Sequence, residues 1–335
     1  MIQVGIIGYG YWGPNLVRNF FSQKNCTIKS VADSRKHRRQ HLSQSYSSIT
    51  PLPDADDIIN DPEIDAVIIA TPVFTHFDLA KKALLNGKHV LLEKPMASSV
   101  KECEILIELA QQKNLVLMVD HTFLYTGAVE KIKEIIDEGA LGNVKYLDSN
   151  RINLGLFQAD INVLWDLAPH DLSILRYLYN EQPYSINATG ICHTNNGIEN
   201  IAYMTINYSS GFIAHIHCSW SSPVKVRTML IGGDKKMIVY NDLEPTEKIK
   251  IYDTAYSIKS DEDKKNILVD YRIGDIYVPK ISNKEALASV ASDFINSIME
   301  NKTPRSSHVI GNDIVKLLEA AEKSIKNKGI EIKLS

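Results

Sequence analysis

Asp166 and His170 lie four positions apart in the stretch WDLAPHD, a spacing that puts both on one face of a helix. Such a pair can be a plain ion pair, or it can handle a proton. An imidazole titrates near neutrality, and a carboxylate one turn earlier can orient it and favour its cation. A second reactive group stands in LLEKP, residues 91 to 95, where Lys94 precedes Pro95. The proline pushes Lys94 away from helical geometry, and an X-Pro bond can be cis at modest cost, so the turn can aim the lysine. A third cluster is Gly8-Tyr9-Gly10-Tyr11-Trp12-Gly13 near the start of the chain.

The third cluster makes a specific demand on the chain around it. A G-x-G-x-x-G between a strand and a helix suits a dinucleotide: Gly8 for a tight turn, Gly10 for close approach of pyrophosphate, Gly13 for packing helix on strand. The apolar run QVGIIG precedes it and PNLVRNFF follows, so both flanking elements are predicted. Asp33, ending the next apolar run, stands where an acid would accept the ribose hydroxyls and repel a 2′-phosphate, which favours NAD. Arg35, Lys36, Arg38 and Arg39 nearby could accept that phosphate, so NADP stays open. Tyr11, Trp12, Ser34 and Arg35 join the candidate cofactor contacts.

Further strands QVGIIG, TIKSVAD, DAVIIAT, KHVLLEK and LVLMVD alternate with amphipathic helices up to about residue 120, the pattern of a doubly wound α/β sheet. Ligands of such sheets sit beyond the carboxyl ends of strands, which places Thr71, Pro72 and His76 of TPVFTH, and Glu93 and Lys94, at the cofactor edge. Gly87 suits the end of one helix, and Ser99 with Glu102 reads as a capping box for another. Beyond residue 120 longer alternating runs, VKYLDSNRIN, NIAYMTINYSS, GFIAHIHCSW and KVRTMLIGG, predict an open, mostly antiparallel sheet, with YSSGF as a hairpin. Two helices, NKEALASVASDFINSIMEN and GNDIVKLLEAAEKSIKN, close the chain. The expected division is an N-terminal Rossmann domain over 1–120 and a C-terminal α+β domain over 121–335.

At 335 residues the chain exceeds the usual size of a single core. With 37 Lys+Arg against 40 Asp+Glu it has no basic footprint for nucleic acid. The four cysteines form no C-x-x-C pair, and no apolar run approaches the ~18 residues of a membrane span, so a cytoplasmic protein without disulfides or a zinc site is expected. His215 and His217 share a strand face as zinc ligands would, but no acid or cysteine completes a set, so packing is expected there. KSDEDKK at 259–265 reads as a solvated loop and GGDKK at 232–236 as a hairpin turn.

GYGYWG, Asp33, TPVFTH, EKP and WDLAPHD, in this order, resemble the Gfo/Idh/MocA oxidoreductases over essentially the whole chain. The resemblance implies hydride transfer between a nicotinamide ring and a sugar or polyol carbon, with Lys94, Asp166 and His170 as catalytic residues and a cis bond before Pro95. It also implies a dimer or tetramer formed through the open sheet. In chemical terms, an alcohol gives up hydride only if its proton leaves as well. His170 or Lys94 can take that proton, and Lys94 can stabilise the alkoxide from the cleft expected between the domains.

Substrate contacts are expected from HTFLYTG and RINLGLFQADINVLW. Tyr125 could stack, Arg151 could meet a diphosphate, and Asn153, Gln158, Asn162 and Trp165 could read a sugar, beside Lys94 and His170. The segment NLGLFQADINVLWDLAPHD is similar to the branch acting on nucleotide-activated sugars in surface polysaccharide pathways. That similarity implies a substrate such as UDP-N-acetylglucosamine or its uronic acid, oxidised at C3. The alternatives are a free polyol or sugar such as inositol, reduction of a keto-sugar, and a non-catalytic sensor of dinucleotide or sugar. The last would be marked by loss of the EKP lysine or of the histidine, and both are present.

Overall fold

The structure is a computed structural model and describes residues 1–155, 157–158, 160–257 and 270–334; KSDEDKK lies outside the described residues. Two compact units emerge, one of Met1–Tyr125 with Lys284–Lys316, the other of Thr126–Asn283 with Leu317–Ser335.

In the first unit six strands, β1 (Ile2–Ile7), β2 (Cys26–Ala32), β3 (Thr50–Leu52), β4 (Ala66–Ile69), β5 (His89–Glu93) and β6 (Leu117–Asp120), pair in the order β3-β2-β1-β4-β5-β6, all parallel. Between them run α1 (Gly13–Phe21), α2 (Lys36–Ser45), α3 (Ala55–Ile59), α4 (His76–Leu85) and α5 (Val100–Gln112). Strand β4 is buried at all four residues, as a strand covered on both faces must be. Ser99 caps α5 by accepting from the Glu102 N–H at 3.3 Å, while the Glu102 carboxylate accepts from the Ser98 N–H, one residue earlier than the simple capping box.

In the second unit β7 (Val144–Leu154), β8 (Pro183–Ile191), β9 (Ile201–Tyr208), β10 (Ile213–Ser219), β11 (Ser221–Gly233), β12 (Met237–Asn241), β13 (Ile249–Ser257), β14 (Asp270–Tyr277) and β15 (Ile332–Lys333) form one sheet. Its order is β14-β13-β12-β11-β7-β10-β9-β8-β15, antiparallel throughout except for the β10–β7 pair. The hairpin at YSSGF joins β9 to β10, and GGDKK turns β11 into β12, where the Gly233 N–H donates to the Lys236 carbonyl. Helices α6 (Gly127–Asp137) and α7 (Val163–Leu178) belong to this unit. One sheet face is buried through Leu147, Met204, Ile206, Ala214, Ile216 and Ile231, whereas Tyr203, Ile213 and Leu230 on the other face are exposed.

Helix α8 (Ala286–Glu300), expected with the second half of the chain, packs in the first unit, and the division falls inside α9 (His308–Lys326). Phe294 of α8 meets Phe20 of α1 edge-on at 6.3 Å, both rings fully buried, and Arg18 pairs with Glu285. An amphipathic helix is placed by whichever apolar surface accepts its stripe, not by its position in the chain. A single cut near residue 120 misses this return.

Candidate active site

The glycine loop has the form of a phosphate cradle. Gly8 has φ +100°, and a Cβ there would stand 2.3 Å from the Ala70 carbonyl oxygen; at Gly13 a Cβ would stand 2.5 Å from the Gly8 carbonyl oxygen. Only glycine allows the loop to lie this close to β4 and then enter α1, whose N-terminus carries Pro14 and presents N–H groups. Gly10 is unobstructed apart from the Arg35 guanidinium at 3.5 Å. Tyr11 and Trp12 are exposed at 90% and 40%, so the loop offers aromatic surface. These residues fit a dinucleotide.

Asp33 directly follows β2, its carboxylate fully engaged. It accepts from the Tyr9 N–H at 2.9 Å, from the Arg35 N–H at 2.9 Å, and from Arg35 Nε and Nη2 at 2.9 and 2.7 Å. Burial alone would raise its pKa, but the Arg35 side chain and the two backbone donors outweigh this and hold it at about 2. Arg39 is spent on the carbonyls of Asp33 and Ser34, while the Ser34 side chain is exposed.

Thr71 shares a 2.6 Å hydrogen bond with Thr75, and Pro72 is exposed, so this edge is open to a ligand. His76, expected there as well, is instead 1% exposed, with Nδ1 2.9 Å from the Pro95 carbonyl and Nε2 2.9 Å from the Thr71 carbonyl. It ties the turn after β4 to the turn after β5 and does not face a ligand. Burial, and less so the Lys94 charge, lowers its pKa against the pull of the carbonyls. The Lys94–Pro95 bond is cis.

The Glu93 side chain likewise points inward, contrary to its expected cofactor contact. It is paired in register with Asp120 on β6, both nearly fully buried. Burial and their mutual repulsion push the Glu93 carboxyl well above the ordinary range, and burial raises Asp120 too; the Lys94 charge opposes both shifts. His121, next along, is 1% exposed and kept neutral by burial and by Lys94, its pKa lowered to about 3.

In the second unit α7 begins at Asn162, whose side chain accepts from the Leu164 and Trp165 N–H groups and donates to Glu199. Asp166 and His170 follow one turn apart, both half-buried, and Pro169 removes one backbone donor between them. The Asp166 carboxylate accepts from Trp220 Nε1 at 3.0 Å, so its direction is fixed by a fully buried indole at the β10–β11 junction. Trp220 carried no functional motif; its sole signal in the sequence was a tryptophan at the end of an alternating run.

Several expected substrate contacts prove structural. Arg151 is 4% exposed and bidentate to Asp171, Nε and Nη2 each at 2.8 Å, fastening α7 to β7, so its guanidinium is not presented to solvent as the expected diphosphate contact requires. Tyr125 is buried, donates to Asp293 at 2.7 Å and accepts from the Ser306 N–H at 3.1 Å. Trp165 is buried and donates to Glu322 at 3.1 Å, and Asn162 is the cap just described. Asn153 and Gln158 remain half-exposed, beside exposed Leu154 and Phe157. His215 and His217 lie against Asp148 and Asn150 with Tyr203 stacked 4.4 Å from His217; among the described residues no group of three or more His, Cys, Asp or Glu could hold a metal. No helix of the described residues is long and apolar enough to cross a membrane.

Residues 2–121 match a family model described as GFO/IDH/MocA, oxidoreductase family, NAD-binding Rossmann fold, and residues 129–239 match the GFO/IDH/MocA C-terminal domain, together more than half of the chain. UDP-N-acetylglucosamine 3-dehydrogenase of Acidithiobacillus ferrooxidans is 26% identical over 321 residues, 94% of this chain and 94% of that protein. The solved structure of that enzyme superposes with TM-score 0.78 at 24% identity, covering 97% of this chain and 99% of the other. The scyllo-inositol 2-dehydrogenase (NAD(+)) of Bacillus subtilis is 27% identical over 251 residues, 71% of this chain and 72% of that protein. A levoglucosan dehydrogenase in complex with NADH and L-sorbose shares the fold with TM-score 0.83 at 20% identity, over 100% and 99% of the two chains.

Proposed function

The chain belongs to the GFO/IDH/MocA family of NAD-binding oxidoreductases, and from that premise we propose that it oxidises a ring hydroxyl, at C3, of a nucleotide-linked amino sugar such as UDP-N-acetylglucosamine or its uronic acid, in the making of surface polysaccharide. The observation that carries the substrate class is the similarity to a UDP-N-acetylglucosamine 3-dehydrogenase over nearly the full length of both chains.

The roles follow from the residues' chemistry. NAD, when bound, supplies the hydride acceptor. The glycine turn and the N-terminus of α1 would hold its phosphates, and the Asp33 carboxylate would accept from its ribose hydroxyls in place of Arg35. His170 takes the substrate's hydroxyl proton on a ring nitrogen, as an imidazole can near neutrality. Asp166, steered by Trp220, orients the substrate or the imidazole and favours the cation formed. Lys94, at the turn after β5, can donate a hydrogen bond to an alcohol oxygen and stabilise its developing charge. His170→Ala or Lys94→Ala is expected to lower turnover by about 10²–10⁴-fold with NAD affinity retained; near-normal turnover in either variant removes that residue from the mechanism.

Calorimetric titration with UDP-N-acetylglucosamine, its uronic acid, free N-acetylglucosamine and inositol, each with NADH present, tests the substrate. Binding of the UDP-linked compounds alone is expected. Binding of inositol alone would favour a polyol dehydrogenase, as the Bacillus subtilis relative is named. The uncovered sheet face, with Tyr203, Ile213 and Leu230, is assigned to a dimer or tetramer contact, and a monomeric mass by light scattering would reject that assignment.

A further inference from the structure

We propose that Glu93 and Asp120 form a one-proton acid pair, Glu93 carrying the proton and Asp120 the negative charge, which holds the Lys94 ammonium in place. The inference rests on the role given to Lys94 above and adds to it two positioning residues.

Glu93 and Asp120 are partners on neighbouring parallel strands, so their side chains leave the sheet side by side, 8% and 3% exposed. Two carboxylates this close in a dry interior cannot both ionise; one proton is shared, as in other buried acid dyads. The surroundings decide where it sits. Asp120 Oδ1 accepts from the Thr122 hydroxyl at 2.6 Å, which favours its ionised form, whereas Glu93 accepts a longer bond, 3.2 Å, from the Lys94 N–H. Asp120 Oδ2 is buried and has no hydrogen-bond partner among the described residues. A carboxylic acid on Glu93 supplies the missing donor.

The other charged or titratable groups facing the pair complete the balance. Lys94 acts on both carboxyls, His121 is held neutral, and His76, which also feels Lys94, is kept neutral by its burial. One negative charge on Asp120 then matches one positive charge on Lys94. A second ionisation would leave an unmatched buried anion, and a second protonation would release the ammonium.

The assignment predicts unequal effects from two nearly isosteric changes. Glu93→Gln preserves a neutral donor toward Asp120 and alters no charge, so its loss of kcat is expected to be several times smaller than that of Asp120→Asn. Asp120→Asn removes the matching charge. It is expected to lower kcat by about tenfold or more, with KM for NAD unchanged. Unaltered protein loses kcat toward acid as both Asp120 and the His170 imidazole take up protons, and Asp120→Asn is expected to keep only the His170 part of that limb.

Infrared spectroscopy at pH 7.5 needs no substrate: the carbonyl band of a protonated carboxyl is expected in the unaltered protein and absent from Glu93→Gln. Absence of that band in the unaltered protein, or equal loss of kcat in both variants, would overturn the proposal. Should the unaltered protein fail to turn over UDP-N-acetylglucosamine, the functional reading fails while the band still decides the state of the pair.

Discussion

Two bidentate arginine–aspartate pairs of nearly the same geometry sit in the two units and do opposite things. Arg35 grips Asp33 at 2.9 and 2.7 Å; Arg151 grips Asp171 at 2.8 and 2.8 Å. The difference is water. The Arg35 side chain is 49% exposed over a buried carboxylate, while both members of the other pair are 4% exposed. An exposed guanidinium can be exchanged for a ligand's hydroxyls at little cost, whereas a buried one cannot leave without stranding a charge. Thus the first pair can open to a ligand, as the proposed cofactor role of Asp33 requires, and the second is a fastening between β7 and α7. Contact chemistry alone did not distinguish them; burial did.

Breaking each pair sharpens the contrast. Arg151→Ala leaves Asp171 buried and unpaired, and is expected to cost about 3–5 kcal/mol in denaturant unfolding, with loss of activity following loss of fold. A cost below about 1 kcal/mol would mean that α7 is held by its apolar face alone. A smaller effect is expected at Trp220→Phe, which keeps the ring and removes the donor to Asp166: kcat should fall severalfold, about 1 kcal/mol in barrier, with NAD affinity unchanged. Unchanged kcat would show that Asp166 needs no orienting partner. The smallest effect belongs to Arg35→Ala. Stability should change by less than about 1 kcal/mol, and NAD should bind as tightly or somewhat more tightly, since a competitor for Asp33 is gone. Weakened NAD binding would make Arg35 a direct cofactor ligand instead.

The same contrast explains what could be read from the sequence. Three features of the first unit are written locally: glycine spacing, an acid just after β2, a lysine before proline after β5; His76 and Glu93, whose partners Pro95 and Asp120 lie on other turns and strands, were not. Each of the three depends on the backbone within a few residues, and each was legible. The partners in the second unit come from far along the chain, Trp220 to Asp166 and Glu322 to Trp165, so nothing near WDLAPHD announced them. Arg151, Tyr125 and Asn162 misled for the same reason. Polar side chains beside a predicted site look like ligand contacts until their remote partners, Asp171, Asp293 and Glu199, are seen. Strand β3 escaped notice because it has three residues and contains Pro51, and α8 was misplaced because periodicity shows that a helix has an apolar stripe without showing what covers it.

The most direct test of the functional account is to follow deuterium from UDP-N-acetylglucosamine labelled at C3 into the cofactor. The account predicts deuterated NADH, a primary isotope effect on the chemical step, and no transfer in His170→Ala. NADH formed from inositol and none from the UDP-sugar, or label retained in the sugar while NADH appears, would contradict it.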